Sequence, residues 1–184
     1  IIVGHLLGFD GEKGATFEIF IQLGAILAVV VCYWGRFKGL FDLSSKQAFS
    51  GLDGILKLGL ACIPAIVVGA LAHRAIKEQL FSPLTVACAL IIGGVVMLLV
   101  EKREQLQRYE TLESLSLRAA LLIGVAQCLA LWPGVSRSGA TIVGGMLLGC
   151  SRKVAAEFSF LLAVPIMYVA VGYDMLKSSS ILTL

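Results

Sequence analysis

Charged residues are scarce in this sequence. Asp, Glu, Lys and Arg make up 15% of its 184 residues, whereas a soluble domain usually carries about 25%. Hydrophobic residues reach 58%, and the mean hydropathy is +0.93. Their long runs differ from the short alternating strands that are typical of a transmembrane β-barrel. We therefore expect an all-α protein that crosses the membrane several times.

Motifs of common catalytic and metal sites are also missing. There is no Walker A, GxSxG or HExxH pattern, and the five cysteines contain no CxxC pair. We interpret the cysteines as small buried hydrophobic residues and predict no metal site from the residues. The net charge of +3 is small and spread over loops. It provides no basic surface of the kind that binds nucleic acid, and we expect no such partner.

Four apolar runs approach the roughly 20 residues that a helix needs to cross a bilayer core of about 30 Å. They cover residues 16–34, 52–73, 84–100 and 153–175. Because both ends of the chain lie in apolar stretches, we expect an internal piece of a longer protein. Residues 1–184 then form a single, partial integral membrane domain.

The loops between these runs differ in positive charge. Residues 36–51 and 101–118 hold seven Lys and Arg residues, whereas residues 9–15 and 74–83 hold three. Lys and Arg are enriched on the cytoplasmic side of membrane proteins. We therefore predict that 36–51 and 101–118 are cytoplasmic loops.

One charged residue, Arg137, lies inside the apolar region 119–150. An ionisable residue at membrane depth is costly and marks a functional site by default. The apolar runs 119–131 and 139–150 flank a turn rich in Pro, Gly and Ser, and neither is long enough to span alone. The pattern predicts a re-entrant helix hairpin over 119–150. A continuous kinked helix is the alternative, but its 32 residues exceed an ordinary crossing.

The turn of this hairpin has the chemistry of an anion site. The guanidinium of Arg137 has five fixed donors and can bind a phosphate through two of them. Ser136, Ser138 and Thr141 add hydroxyl groups. Gly139 opens the second short helix, whose free amides and dipole favour an anion.

The alternative for Arg137 is purely structural. Glu157, one turn into the last apolar run, could pair with Arg137 and hold the helices together. It could also pair with Arg152 or Lys153 at the membrane interface.

Other polar residues in or near the apolar runs have structural interpretations. Glu18 and Gln22 lie four residues apart on one helix face, and we expect them to hydrogen-bond between helices. The same is expected of Gln127. His5 and His73 lie near the ends of apolar runs and are interpreted as interfacial residues.

Residues 133–141, PGVSRSGAT, resemble the second signature of the bacterial undecaprenyl-diphosphatase family, also known for bacitracin resistance. The resemblance extends over essentially the whole chain. Its other parts are residues 1–9, 17–18, 21–24, 127–132, 151–152 and 156–165.

The resemblance implies a fold of inverted repeats, each with a re-entrant helix hairpin, in the bacterial inner membrane. It implies a hydrolase that converts undecaprenyl diphosphate to undecaprenyl phosphate and phosphate at a site open to the periplasmic face. This reaction recycles the lipid carrier for peptidoglycan synthesis. The alternative is a transporter or flippase that binds a phosphorylated lipid without hydrolysing it. The expected partners are a prenyl diphosphate lipid and the bilayer, and a homodimer is left open.

The resemblance and the residue chemistry together assign Arg137 and Ser136 to catalysis. They assign Ser138, Gly139 and Thr141, with Arg137, to phosphate binding. The family's first signature is a glutamate pair followed by a Pro-Val-Ser-Ser-Thr-Gly-His run, and it precedes the first residue of this chain. It holds the family's catalytic acids and histidine and is linked to a divalent cation, Mg²⁺ or Ca²⁺. We therefore expect the cation's ligands mostly outside this chain, and we expect the 184-residue piece alone to be inactive.

Overall fold

The computed structural model describes residues 12–42, 49–80, 82–102 and 107–178. Among them, side chains are described except at 12–20, 23, 73–79 and 173–178. The described residues form seven α-helices: α1 (Glu12–Cys32), α2 (Trp34–Phe41), α3 (Gly51–Gln79), α4 (Pro83–Lys102), α5 (Leu117–Gln127), α6 (Arg137–Leu147) and α7 (Arg152–Ser178). Two 3₁₀ turns, Leu112–Ser114 and Cys128–Leu131, flank α5.

Within the described ranges, three helical segments are long and apolar enough to cross a membrane. They are Gly51–Ala72 of α3, Pro83–Lys102 of α4 and Arg152–Gly172 of α7. Helices α1 and α2 form a bent pair that counts as a fourth if it is taken as one span. A helix satisfies its own backbone hydrogen bonds, as the bilayer interior requires. The expectation of an all-α polytopic membrane protein is confirmed.

Two of the predicted loops are shorter than expected because helices continue into them. Helix α1 begins at Glu12, inside the predicted loop 9–15, and α3 continues to Gln79, inside the predicted loop 74–83. Glu, Lys, Arg and Gln are strong helix formers. An apolar run therefore indicates where the lipid-facing part of a helix ends, and the helix itself continues beyond it.

The largest difference lies in the predicted loop 36–51. Its first part belongs to α2, and the chain bends by 79° between α1 and α2. Phe37 and Leu40 are buried, and Gly54 of α3 lies against the Leu40 side chain. Residues three apart share a helix face. Helix α2 thus forms because its apolar face packs on α3.

Helices α5 and α6 form a hairpin whose two ends meet at its base. The amide of Tyr109 donates to the carbonyl of Gly149, and the amide of Ser151 donates to the carbonyl of Tyr109, each over 2.9 Å. Between the arms, Gly144 leaves no space for a side chain beside Ala126. The arms are therefore antiparallel, and the chain enters and leaves the hairpin on the same side.

Helix α5 lies parallel to α3 and very close to it. An added Cβ on Gly124 would collide with the backbone of Ala61. Further along both helices, Leu131 lies within 3.4 Å of the Cβ position of Gly69. Small residues allow such close backbone approach between helices. The contact fixes the depth of the hairpin relative to α3.

Candidate active site

The hairpin ends in a tight turn over residues 132–136, and we call this turn together with the first turn of α6, residues 137–139, the tip. The amide of Val135 donates to the carbonyl of Trp132 over 3.0 Å. Gly134 has a φ of +97°, a value that glycine adopts at no steric cost. An added Cβ there would lie 2.6 Å from the carbonyl oxygen of Val86. Glycine is therefore required for the tip to press against α4.

Ser136 caps the N-terminus of α6. Its Oγ accepts a hydrogen bond from the amide of Gly139 over 3.1 Å, and its carbonyl accepts one from the amide of Ala140 over 2.8 Å. The same Oγ lies 3.1 Å from the Oγ of Ser138. The other amides of a first helical turn have no intrahelical acceptor. The tip thus presents amides and two hydroxyl groups at the positive end of a helix dipole.

Arg137 is the first residue of α6 and lies in the tip. Its Nη1 is buried and has no hydrogen-bond partner within the described part of the chain. The guanidinium is within electrostatic range of Cys62 on α3. Buried polar atoms nearly always have a partner in folded proteins. A guanidinium N–H group without a protein partner is suited to donate a hydrogen bond to an anionic ligand.

Glu157 pairs with an arginine that the sequence analysis did not consider. Arg36 of α2 donates from Nε to Oε1 of Glu157 over 2.8 Å, and from Nη1 to Oε1 of Glu113 over 2.5 Å. Arg152, one of the partners considered, instead donates to Glu101 over 2.9 Å. Glu157 therefore forms a structural ion pair, as considered, but with a partner that was not among those proposed. Residue 36 had been assigned to a loop, so its approach to α7 was not predictable.

A cluster of ion pairs lies at the base of the hairpin. It consists of Arg36 with Glu113 and Glu157. Glu113 belongs to the 3₁₀ turn before α5, and Glu157 follows the hairpin on α7. Burial alone would raise the pKa of the Glu113 carboxyl, but the hydrogen bond from Arg36 and its charge outweigh burial and lower that pKa. The cluster thus joins α2 to the segments on both sides of the hairpin.

Thr141, expected to bind phosphate, lies beneath the tip on the face of α6 that packs on α7. Its Oγ1 lies 2.7 Å from the Oγ of Ser159 and also donates to the carbonyls of Arg137 and Ser138, over 3.0 and 3.1 Å. Both hydroxyl residues of this pair are fully buried. The hydroxyl of Thr141 therefore holds α6 on α7, and its access to a ligand is closed in this conformation.

Gln127 does not make the interhelical hydrogen bond that was expected. It is 2% exposed, and its Oε1 and Nε2 are both buried without a partner among the described residues. Gln22, by contrast, is exposed on α1. The predictions for His5 and for the side chains of Glu18 and His73 fall outside the described residues and side chains.

An ion pair between a buried lysine and a partly exposed aspartate on α3 was not predicted. Lys57 is 4% exposed, and its Nζ lies 2.6 Å from Oδ2 of Asp53 and 5.7 Å from the ring centre of Phe49. Asp53 also accepts from the amide of Phe49 over 2.9 Å. The four-residue spacing of Asp53 and Lys57 on one helix face was the available signal. The pair fixes the start of α3.

The described residues do not form a cation site. No group of three His, Cys, Asp or Glu side chains within them is placed to hold a metal ion. The cysteines are free thiols, of which Cys62 and Cys150 are buried and Cys32 and Cys88 exposed. The interpretation of the cysteines as buried is therefore wrong for the last two. The donors at the tip are amides, hydroxyls and a guanidinium, which suit an anion and not a cation.

Comparisons with known proteins find one family and close relatives. The family model described as "Bacitracin resistance protein BacA" matches residues 1–183. A protein of Maridesulfovibrio salexigens named "Undecaprenyl-diphosphatase" is 59% identical over 184 residues, which are 100% of this chain and 70% of that protein. Proteins of the same name from Solidesulfovibrio magneticus and Lawsonia intracellularis are 52% and 49% identical, and the chain covers 68% and 69% of their lengths.

Proposed function

Because the chain belongs to the bacitracin resistance protein BacA family, we propose that it is an undecaprenyl-diphosphate phosphatase. The reaction releases phosphate from undecaprenyl diphosphate and leaves undecaprenyl phosphate, the lipid carrier for peptidoglycan synthesis. The names of the relatives support the activity. The observation that carries it on this chain is the buried, unpartnered Nη1 of Arg137 beside the start of α6.

The roles of the tip residues follow from charge stabilisation. Phosphoryl transfer depends mainly on positioning and on stabilising charge that develops on the phosphoryl oxygens. Arg137 binds these oxygens as the cation, and Ser136 and Ser138 donate from their hydroxyls. The amide of Gly139 is already bonded to Ser136, so this glycine contributes space and not a free donor. Thr141 supports the site indirectly, because its hydroxyl donates to the carbonyls of Arg137 and Ser138 and fixes the first turn of α6.

The membrane position of the hairpin follows from its neighbours. If the loop before α3 is cytoplasmic, α3 and the parallel arm α5 both run outward. Leu131 then lies level with Gly69, and Gly134 touches Val86, only three residues after α4 begins at Pro83. This supports a re-entrant hairpin with a cytoplasmic base and a tip near the outer face. A diphosphate at the tip would leave its prenyl chain beside exposed apolar residues such as Trp132.

The family is compatible with a divalent cation, and Mg²⁺ or Ca²⁺ is proposed. The described side chains do not group into a site for it, so no catalytic step is assigned to the metal. The inner membrane is proposed as the location because the substrate is a bilayer lipid. We also propose that the protein forms a homodimer. Measuring the molar mass of the purified protein in detergent tests this directly.

Phosphate release from undecaprenyl diphosphate tests the function. Protein expressed from the complete gene and purified in detergent should release phosphate, and Arg137→Ala should not. Reconstituted vesicles distinguish the alternative class. A flippase would move a phosphorylated prenyl lipid between leaflets with no release of phosphate, and that result would overturn the proposal.

A further inference from the structure

Gln127 lies at the end of α5 and has no evident structural task. Its side chain is 2% exposed, yet neither amide atom has a hydrogen-bond partner among the described residues. Within the described part of the chain, the only other buried side-chain atom without a partner is Nη1 of Arg137. Buried polar groups are rarely left unpaired, and an exception needs an explanation.

Gln127 lies on the side of α5 that packs against α3. Gly124 lies on Ala61 of α3, and Gln127, three residues after Gly124, shares that helix face. Arg137 begins α6 nearer the tip. Its buried guanidinium is within electrostatic range of Cys62, which adjoins Ala61 on α3. Gln127 and the guanidinium therefore approach the same segment of α3 from α5 and from α6.

The chemistry of the two groups is complementary. A guanidinium has donors and no acceptor, whereas a glutamine amide offers a carbonyl acceptor. The amide is also neutral. It can orient the arginine and leave its positive charge available for an anion, which a carboxylate at this position would not do.

We propose that Gln127 is a positioning residue for Arg137. Its Oε1 accepts a hydrogen bond from Nη1, directly or through one buried water molecule, when a diphosphate occupies the tip. The bond holds the guanidinium in the orientation that binds the phosphate through two donors. This inference rests on the proposed function, and its tests are arranged so that the two can fail separately.

Gln127→Leu is the central variant. Leucine keeps much of the volume and removes both unpartnered atoms, so folding stability should stay equal or rise. We expect kcat to fall by about tenfold or more, as when one charge-orienting hydrogen bond is lost. Val125→Leu, on an exposed position of the same helix, is the matched control and should leave stability and kcat unchanged. Wild-type kcat and KM in Gln127→Leu would overturn the proposal.

A double-mutant cycle separates positioning from a general structural role. If Gln127 acts through Arg137, the substitution Gln127→Leu should cost little further activity in an Arg137→Lys background. Independent, multiplicative losses would contradict this. Gln127→Glu should weaken activity more than Gln127→Leu, because the new carboxylate pairs with Arg137 and competes with phosphate.

Binding of inorganic diphosphate tests the inference without turnover. The wild-type protein should gain thermal stability from this probe, Gln127→Leu should gain less, and Arg137→Ala should gain none. Equal gains in the wild type and Gln127→Leu would overturn the role of Gln127 and leave the phosphatase proposal intact. A wild type that binds diphosphate but releases no phosphate from the lipid would overturn the phosphatase proposal and leave the role of Gln127 open to this binding test.

Discussion

Arg36 and Arg137 mark the two ends of the α5–α6 hairpin, and their surroundings differ sharply. At the base, Arg36 donates to two carboxylates, Glu157 over 2.8 Å and Glu113 over 2.5 Å. At the tip, Nη1 of Arg137 is buried with no partner among the described residues. The charge of the base arginine is balanced within the fold, whereas no described carboxylate pairs with the tip arginine.

The difference shows how one fold can use the same side chain for two purposes. The base cluster joins α2, the turn before α5 and α7, so its ion pairs hold the hairpin at its entry and exit. If Glu157 had paired with Arg137, the tip would have been neutral and its donors occupied. Because Glu157 is held at the base, Arg137 keeps the positive charge that phosphate binding requires.

Arg137→Ala should have the largest effect on activity and little effect on folding. Removing a group that stabilises transition-state charge typically costs about 100-fold to 1,000-fold in kcat. The protein should still fold, since no ion pair within the described residues is lost. Phosphate release measures the first effect, and the thermal unfolding midpoint measures the second. Arg152→Ala, which breaks only the exposed pair with Glu101, is the control, and a near-normal rate for Arg137→Ala would remove it from the mechanism.

Arg36→Met should have the opposite effect, lowering the stability of the fold more than the activity. It leaves Glu157 and Glu113 without their cation, and Glu157 is largely buried. We expect a loss of about 1–2 kcal/mol in stability, between the values typical of exposed and of buried pairs. The rate of the folded fraction should change much less than in Arg137→Ala. Unfolding midpoints and specific activities measured at low temperature would test this, and a rate loss as large as that of Arg137→Ala would erase the distinction between base and tip.

The tip was largely predictable because its signals are local. A charge inside an apolar run, a Pro-Gly turn and a serine three residues before Gly139 are all visible within ten residues, and they indicate a broken helix with a capped second half. The base was not predictable, because Arg36 and Glu157 are 121 residues apart. Their meeting depends on α2 folding back, which a hydropathy reading does not detect.

Two residues near the tip show the same limit. The serine that pairs with Thr141 lies 18 residues away on α7, so a hydroxyl that looked available for phosphate is occupied. The Gln127 amide has no hydrogen-bond partner among the described residues. This also depends on distant residues, those that α3 places beside the end of α5. Residue chemistry indicates what a side chain can do, but the packing of distant helices decides which groups remain free.

Ser136→Ala should weaken the tip moderately. The variant loses the N-cap bond to the Gly139 amide, which is 3.1 Å long, and such losses typically cost about 1 kcal/mol. It also removes a hydroxyl donor at the anion site, so activity should fall further than stability alone explains. Ser136→Thr keeps a capping hydroxyl and is the matched control. Wild-type activity in Ser136→Ala would show that the serine only caps the helix.

Lowering the pH should destabilise the base of the hairpin by protonating Glu113. We expect this effect to be smaller than those of the substitutions above. Because the pKa of Glu113 is lowered from its ordinary value of 4.5, its ion pair stabilises the fold above that value, and this contribution is lost as pH falls through the lower pKa of the folded state. The side chain is 38% exposed, so solvent screens the pair and the stabilisation is modest. Wild type should therefore be more stable than Glu113→Gln at pH 7, and the gap should narrow as the pH falls below 4.5. A gap that persists undiminished well below pH 4.5 would mean that Glu113 stabilises the base through packing and not through its charge.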